Sequence, residues 1–226
     1  MPITLDTSAS GFAAQFETFL GSKREASEDV DAAVREILRG VETRGDDALI
    51  EYSKKFDRVD LKPETIRISA AEIEAAFKSA DQKTLDALQF AKDRIEAHHK
   101  KQVPQDQRYT DALGVELGYR WSALESVGIY VPGGKAAYPS SVLMNAVPAM
   151  VAGVPRVAMC VPAPDGAINP LVLVAAKLAG VTEIYRVGGA QAIAALAYGT
   201  KTISPVAKIV GPGNAYVTAA KRLVFG

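Results

Sequence analysis

An α/β fold built on Rossmann-like parallel sheets, with a helix-rich N-terminal part, is predicted by three features of the sequence. From residue 126 onward the order strand, glycine turn, helix repeats several times. Before that point the apolar residues recur with helical spacing. Twice, a short β-branched strand ends in Val-Gly and a side-chain amide opens an alanine-rich helix four residues after the Val: Val187-Gly188-Gly189-Ala190-Gln191 and Val210-Gly211-Pro212-Gly213-Asn214. Each copy offers free backbone N–H groups and a polar side chain to a small ligand.

Val30, Val34, Ile37, Leu38 and Val41 share one face of a helix predicted to begin after Ser27, with Glu28 and Asp29 in its first turn and Gly45 as its C-cap. A second helix starts near Asp46 with Leu49, Tyr52 and Phe56 inward. The capping box Ser69-Ala70-Ala71-Glu72 announces a third, backed by Ile73 and Phe77. A fourth runs from about Asp81 to Lys101. Between these, Thr65 to Ser69 and Val115 to Trp121 alternate like strands.

Beyond residue 126, strands are expected at Val127 to Val131, Arg156 to Val161, Glu183 to Val187 and Lys208 to Val210. Helices are expected at Ser140 to Ala152, Pro170 to Ala179 and Ala190 to Tyr198. Helical crossovers imply parallel pairing. Ligands of such sheets bind beyond the carboxyl ends of the strands, where Tyr130 to Gly134, Gly188 to Gln191 and Gly211 to Asn214 all fall.

Composition narrows the function classes. The 226 residues are 48% hydrophobic and 23% charged, enough for one or two cores. Lys plus Arg and Asp plus Glu both number 26, and the only basic cluster is Lys100-Lys101, so no nucleic-acid footprint is expected. The first residues, Met1-Pro2-Ile3-Thr4-Leu5-Asp6, lack the basic and apolar regions of a secretory signal, which makes the cytoplasm the expected location. Asn145, Pro148, Pro155 and Arg156 interrupt the apolar stretch from Val142 to Val161, so no membrane span is expected.

Several residues invite chemistry, and each has a plainer reading beside it. The Gly211-Pro212-Gly213 turn places Tyr216 where a dinucleotide fingerprint needs its third glycine, and no Walker lysine follows Gly133-Gly134. Such glycine loops are often plain turns. Asn214 reads equally as an N-cap, whereas Gln191 is a poor cap and so the more suggestive of the two. Tyr130 reads as a core aromatic on a strand. Cys160, the single cysteine, sits within Val157-Ala158-Met159-Cys160-Val161 and reads as packing. His98 and His99 are adjacent and face different ways on a helix, one toward the core and one toward solvent, so they do not chelate as a pair. Glu28, Asp29, Asp31, Asp46 and Asp47 are assigned to helix starts, where the helix dipole and capping explain them without metal.

Four blocks then combine. Val127-Gly128-Ile129-Tyr130-Val131-Pro132-Gly133-Gly134, Pro139-Ser140-Ser141-Val142-Leu143-Met144-Asn145-Ala146, the run from Val187 to Ala197, and Gly211-Pro212-Gly213-Asn214-Ala215-Tyr216-Val217-Thr218 together resemble histidinol dehydrogenase. The resemblance is close over residues 127 to 226 and looser over residues 27 to 126. It implies oxidation of L-histidinol to L-histidine with NAD and zinc by a homodimer, and it assigns NAD contacts to Tyr130, Gln191 and Asn214. It also implies two parts: residues 1–126, an arm plus the first portion of one Rossmann-like domain, and residues 127–226, a second, NAD-contacting one. The family draws its zinc ligands, its Glu-His acid/base pair and most histidinol contacts from the half that follows the Gly-Pro-Gly-Asn helix. The chain is therefore expected to be an N-terminal portion with no metal ligands or catalytic residues of its own, inactive alone. The alternative is a non-catalytic nucleotide-binding or assembly module.

Overall fold

The structure is a computed structural model; it describes residues 3–133 and 138–225, and the side chains of residues 22–28 lie outside that description. Helix α1 (Phe12–Arg44) is followed by α2 (Asp46–Asp57), the single turn α3 (Pro63–Ile66), α4 (Ala70–Ser79) and α5 (Gln82–Lys100). A hairpin of β1 (Gln107–Thr110) and β2 (Glu116–Tyr119) leads into β3 (Val127–Tyr130), α6 (Pro139–Val151), β4 (Val157–Cys160) and α7 (Pro170–Leu178). The chain continues through β5 (Glu183–Tyr185), α8 (Gly189–Tyr198), β6 (Lys208–Val210) and α9 (Ala215–Leu223).

Helix α1 starts well before the expected point after Ser27. Nothing between Phe12 and Ser27 forbids a helix: there is no proline, and the one glycine, Gly21, costs only about 1 kcal/mol there. Glu28, Asp29 and Asp31 therefore lie in mid-helix and not in a first turn; Asp31 receives Arg222 of α9 at 2.6 Å, and the side chain of Glu28 is outside the described residues. The predicted inward face holds, with Val34, Ile37, Leu38 and Val41 buried and Val30 packed beside them. Gly45 ends α1 at φ +56°, donating its N–H to the Val41 carbonyl at 2.8 Å, and the chain turns directly into α2.

The capping box of α4 forms as the sequence predicts. Ser69 Oγ accepts from the Glu72 N–H at 3.2 Å, and the Glu72 carboxylate accepts from the Ser69 N–H at 2.9 Å. The expected strand from Thr65 to Ser69 is mostly absent. Pro63 opens the helical turn α3 instead, and only a short bridge survives beyond it: Ile68 N–H donates to Ile184 and Arg186 N–H to Ile66. The strand expected from Val115 to Trp121 shortens to β2 and pairs antiparallel with β1, every residue of both strands being exposed.

All strands of the larger sheet are parallel, in the order β5-β4-β3-β6. Their side chains alternate between two cores with the period of two that a pleated strand imposes. Tyr130, Ala158, Cys160 and Tyr185 face a layer made by α1, α2, α8 and α9. Val127, Ile129, Val157, Met159 and Ile184 face the layer of α4 to α7. Both layers thus combine residues from before and after position 126. From β3 the chain steps outward to β4 and β5, then α8 carries it back across to β6 on the far side of β3. That reversal opens a crevice between the loops that follow β3 and β6.

Ile129 is fully buried at the centre of the sheet. Replacing it with Ala should cost about 2–5 kcal/mol, the lost transfer energy plus the cavity left behind. Urea unfolding should register this as a lower midpoint with an unchanged slope.

Candidate functional site

Beyond the carboxyl ends of the strands lies a cleft of about 600 Å³. Tyr130, Gln191 and Asn214 all line it, so the three residues singled out from sequence are brought together. Gly134, the last residue of the first predicted loop, lies outside the described residues.

Tyr130 ends β3 with its ring 4% exposed, as a core aromatic would be, but its hydroxyl accepts the Gly189 N–H at 3.1 Å. The ring is a wall of the cleft and its oxygen pins the turn that starts α8. Burial pushes the Tyr130 hydroxyl up to about 12, so it stays protonated and keeps a proton to donate. Gly189 makes the turn at φ +65°. Gly188, in extended backbone, admits Pro162 and the Asp57 carboxylate into the space a Cβ would fill; Asp57 Oδ2 is 3.1 Å from that point. At the second turn Gly211 adopts φ +110°, and a Cβ there would collide with the Tyr130 carbonyl oxygen.

The two amides differ. Asn214 Oδ1 caps α9 by accepting from Val217 N–H at 3.0 Å, which meets the plainer expectation while leaving its amide nitrogen to the cleft. Gln191 caps nothing. It is 1% exposed, and its Nε2 is a buried donor without a partner. Among the described residues four buried side-chain polar atoms lack partners, and two of them, Gln191 Nε2 and Asp57 Oδ2, belong to residues that border this cleft. Leaving such groups unpaired costs about 1–3 kcal/mol each unless a ligand or water satisfies them.

The end of α2 supplies residues that sequence reasoning missed. Phe56, expected to point inward, is 46% exposed, stacks on Tyr52 and forms part of the cleft with Lys55 and Asp57. Only its position one turn beyond Tyr52 on the apolar stripe was legible, and that stripe turns out of the core at the helix end. Asp57 is half-buried; desolvation holds its carboxyl above the usual aspartate range, with Arg58 pulling the other way. Arg58 follows in the left-handed region at φ +54° and reaches across to Asp165, itself at φ +55°, with Nε–Oδ1 and Nη2–Oδ2 bonds of 2.7 Å. Two strained backbones are thus clamped to each other beside the cleft.

The remaining candidates are structural. Cys160 is wholly buried and pushed up to about 12, so it offers no thiolate. His98 is exposed and His99 half-buried, and both bond Gln102. Asp46 is buried and accepts from the Thr202 hydroxyl at 2.7 Å. Among the described residues no group of three or more His, Cys, Asp or Glu is placed to hold a metal ion, and no helix is long and apolar enough to cross a membrane. A second cleft of about 570 Å³, bordered by His99, Trp121 and Met144, resembles the first in its balance of polar and apolar lining, but none of the residues with unpartnered buried polar atoms borders it.

Gly211→Ala should destabilise the chain by about 2–4 kcal/mol, from strain at positive φ together with the clash on Tyr130; thermal unfolding of the purified variant checks it. Asp57→Asn should act in the opposite sense. Because the folded carboxyl titrates above its ordinary value of 3.8, the folded state holds a desolvated charge at neutral pH, and wild-type stability falls as pH rises through that raised range. The variant should be more stable at pH 7, by on the order of 1 kcal/mol. The difference should vanish below about pH 3.8, as a series of melting curves against pH will show.

A model of the family described as histidinol dehydrogenase matches residues 21–226. Proteins named histidinol dehydrogenase from Brucella abortus (strain 2308) and Mesorhizobium japonicum are each 67% identical over all 226 residues, which make up 53% of either relative. The crystal structure of histidinol dehydrogenase from Elizabethkingia anophelis superposes with a TM-score of 0.82 at 40% identity, over 85% of this chain and 44% of that one. The chain spans about half the length of the curated relatives it matches.

Proposed function

Because the chain belongs to the histidinol dehydrogenase family, we propose that the cleft bordered by Tyr130, Gln191 and Asn214 is the NAD shelf of an enzyme that oxidises L-histidinol to L-histidine in histidine biosynthesis. The observation that carries this reading is Gln191 Nε2, a buried donor with no protein partner in a cleft that also gathers Tyr130 and Asn214. A dinucleotide is rich in the carbonyl, hydroxyl and phosphate oxygens such a donor needs. The cleft's volume and mixed lining suit a cofactor of that kind.

Bound there in turn, two molecules of NAD would each accept one hydride in the two successive oxidations that, with addition of one water, convert an alcohol to a carboxylate. The chain's own residues do the positioning. Tyr130 holds the α8 turn through Gly189 and keeps a hydroxyl proton to donate. Gln191 donates to the cofactor from the first turn of α8, and Asn214 presents an amide nitrogen from the start of α9. Pro162 and the end of α2 complete the lining of the cleft. In this reading residues 127–226 carry the three NAD contacts, and residues 1–126 pack into both cores beside them and wall the cleft through the end of α2.

Among the described residues no cluster of His, Cys, Asp or Glu is placed to hold zinc. In the proposed whole enzyme, a cytoplasmic homodimer, the zinc ligands and acid/base pair are carried by other residues. Tyr109, Leu117, Tyr119 and Trp121, exposed on or beside the β1–β2 hairpin, support an assembly that covers apolar surface.

Calorimetric titration of the 226-residue chain with NAD should give saturable binding that Gln191→Leu weakens roughly tenfold, the value of one buried hydrogen bond. Histidinol and zinc added to the NAD complex should yield no NADH. Absence of NAD binding contradicts the shelf, and sustained NADH formation contradicts the division of labour.

A further inference from the structure

We propose that Asp57 accepts hydrogen bonds from a ribose diol of the bound dinucleotide and, through its negative charge, excludes a cofactor bearing a 2′-phosphate. The inference rests on the NAD-shelf reading and adds a specificity residue that is not among the three family contacts. Its basis is geometric. Asp57 borders the cleft, its buried Oδ2 has no protein partner, and that oxygen sits against the Gly188 turn, three residues before Gln191, whose amide nitrogen is also unpartnered. A buried carboxylate oxygen is an acceptor that needs a donor, and the neighbouring groups do not provide one.

Among the parts of a dinucleotide, its hydroxyls and its two –NH2 groups, one on adenine and one on the nicotinamide carboxamide, can donate. The pyrophosphate is ruled out by like charge, because two anions in one desolvated cleft repel strongly. A vicinal diol presents two O–H donors at the spacing of the two oxygens of one carboxylate, whereas an amine meets only one of them in line. Acidic side chains serve ribose hydroxyls in the same way at other dinucleotide sites, and a 2′-phosphate placed there meets the carboxylate head on.

The surroundings hold Asp57 to this task. It is the last residue of α2, and the next residue, Arg58, is fixed in the left-handed region by its two-bond contact with Asp165. Both side chains are largely exposed, so the pair adds little stability. It does restrict the direction in which the end of α2 points. Lys55 also borders the cleft, but its ammonium lies 5.3 Å from the centroid of the Phe56 ring and makes no ion pair with Asp57. The carboxylate is therefore not neutralised by the cation two residues before it.

The test compares NAD, NADP and the hypoxanthine analogue of NAD, which lacks the adenine amine, by calorimetry on the full chain and on its Asp57→Asn and Asp57→Glu variants. The wild type should bind NAD at least tenfold more tightly than NADP and accept the hypoxanthine analogue as well as NAD. Asp57→Asn should weaken NAD about tenfold and bring the NAD-to-NADP ratio close to one; Asp57→Glu should keep the preference for NAD. An unchanged ratio in Asp57→Asn overturns the assignment while leaving the shelf intact. So does a wild-type loss of the hypoxanthine analogue that Asp57→Asn abolishes, which places the carboxylate on the base. A wild type that binds no dinucleotide removes the inference and the shelf together.

Discussion

The cleft depends on the absence of two β-carbons. At Gly188 the empty space admits Pro162 from the loop after β4 and Asp57 from α2, and at Gly211 it lets the backbone after β6 lie against the Tyr130 carbonyl. Any larger residue would push these segments apart by more than the van der Waals contacts of a packed interior allow. The Tyr130 hydroxyl then ties the two ends together by accepting the Gly189 N–H, so three strand-end loops and the end of α2 become one surface. This close approach brings Tyr130, Gln191 and Asn214 from the strand-end loops to the same cleft as Lys55, Phe56 and Asp57 of α2.

The fold places that approach where it is useful. The strand order β5-β4-β3-β6 reverses beside β3, and the reversal leaves the loops after β3 and β6 diverging above the sheet. Alternation along β3 and β4 sends Tyr130 and Cys160 to the layer that contains α1, α2 and α8, which is why the first helices of the chain wall a site built from its later strands. The unpartnered atoms of Gln191 and Asp57 cost stability in the absence of ligand, as does the left-handed backbone at Arg58 and Asp165. A large apolar core on both faces of the sheet offsets these local costs.

Much of this was legible in the sequence because local chemistry and tertiary context agree there. The strand, glycine turn, helix punctuation after residue 126 located every element of the parallel sheet to within about two residues, and the paired Val-Gly turns marked Gln191 and Asn214. Ser69 and Glu72 formed their capping box because both partners lie within one turn. The failures have physical causes of their own. Acidic residues near position 28 imitate a helix start, but no breaker precedes them, so α1 runs through. Thr65 to Ser69 alternates like a strand, yet Pro63 begins a helical turn that takes its first residues. Phe56 belongs to an apolar stripe that leaves the core at the end of its helix. Asp57 escaped notice because its meaning arises from Gly188 and Pro162, more than a hundred residues away.

Amide chemical-shift mapping of the isotope-labelled chain during titration with NAD tests the central claim most directly, since it locates binding residue by residue. The largest shifts are expected at Asp57, Gly188 to Gln191 and Asn214 to Tyr216, with little change around His99, Trp121 and Met144. Shifts concentrated around those last three residues, or none at saturating NAD, would contradict that claim.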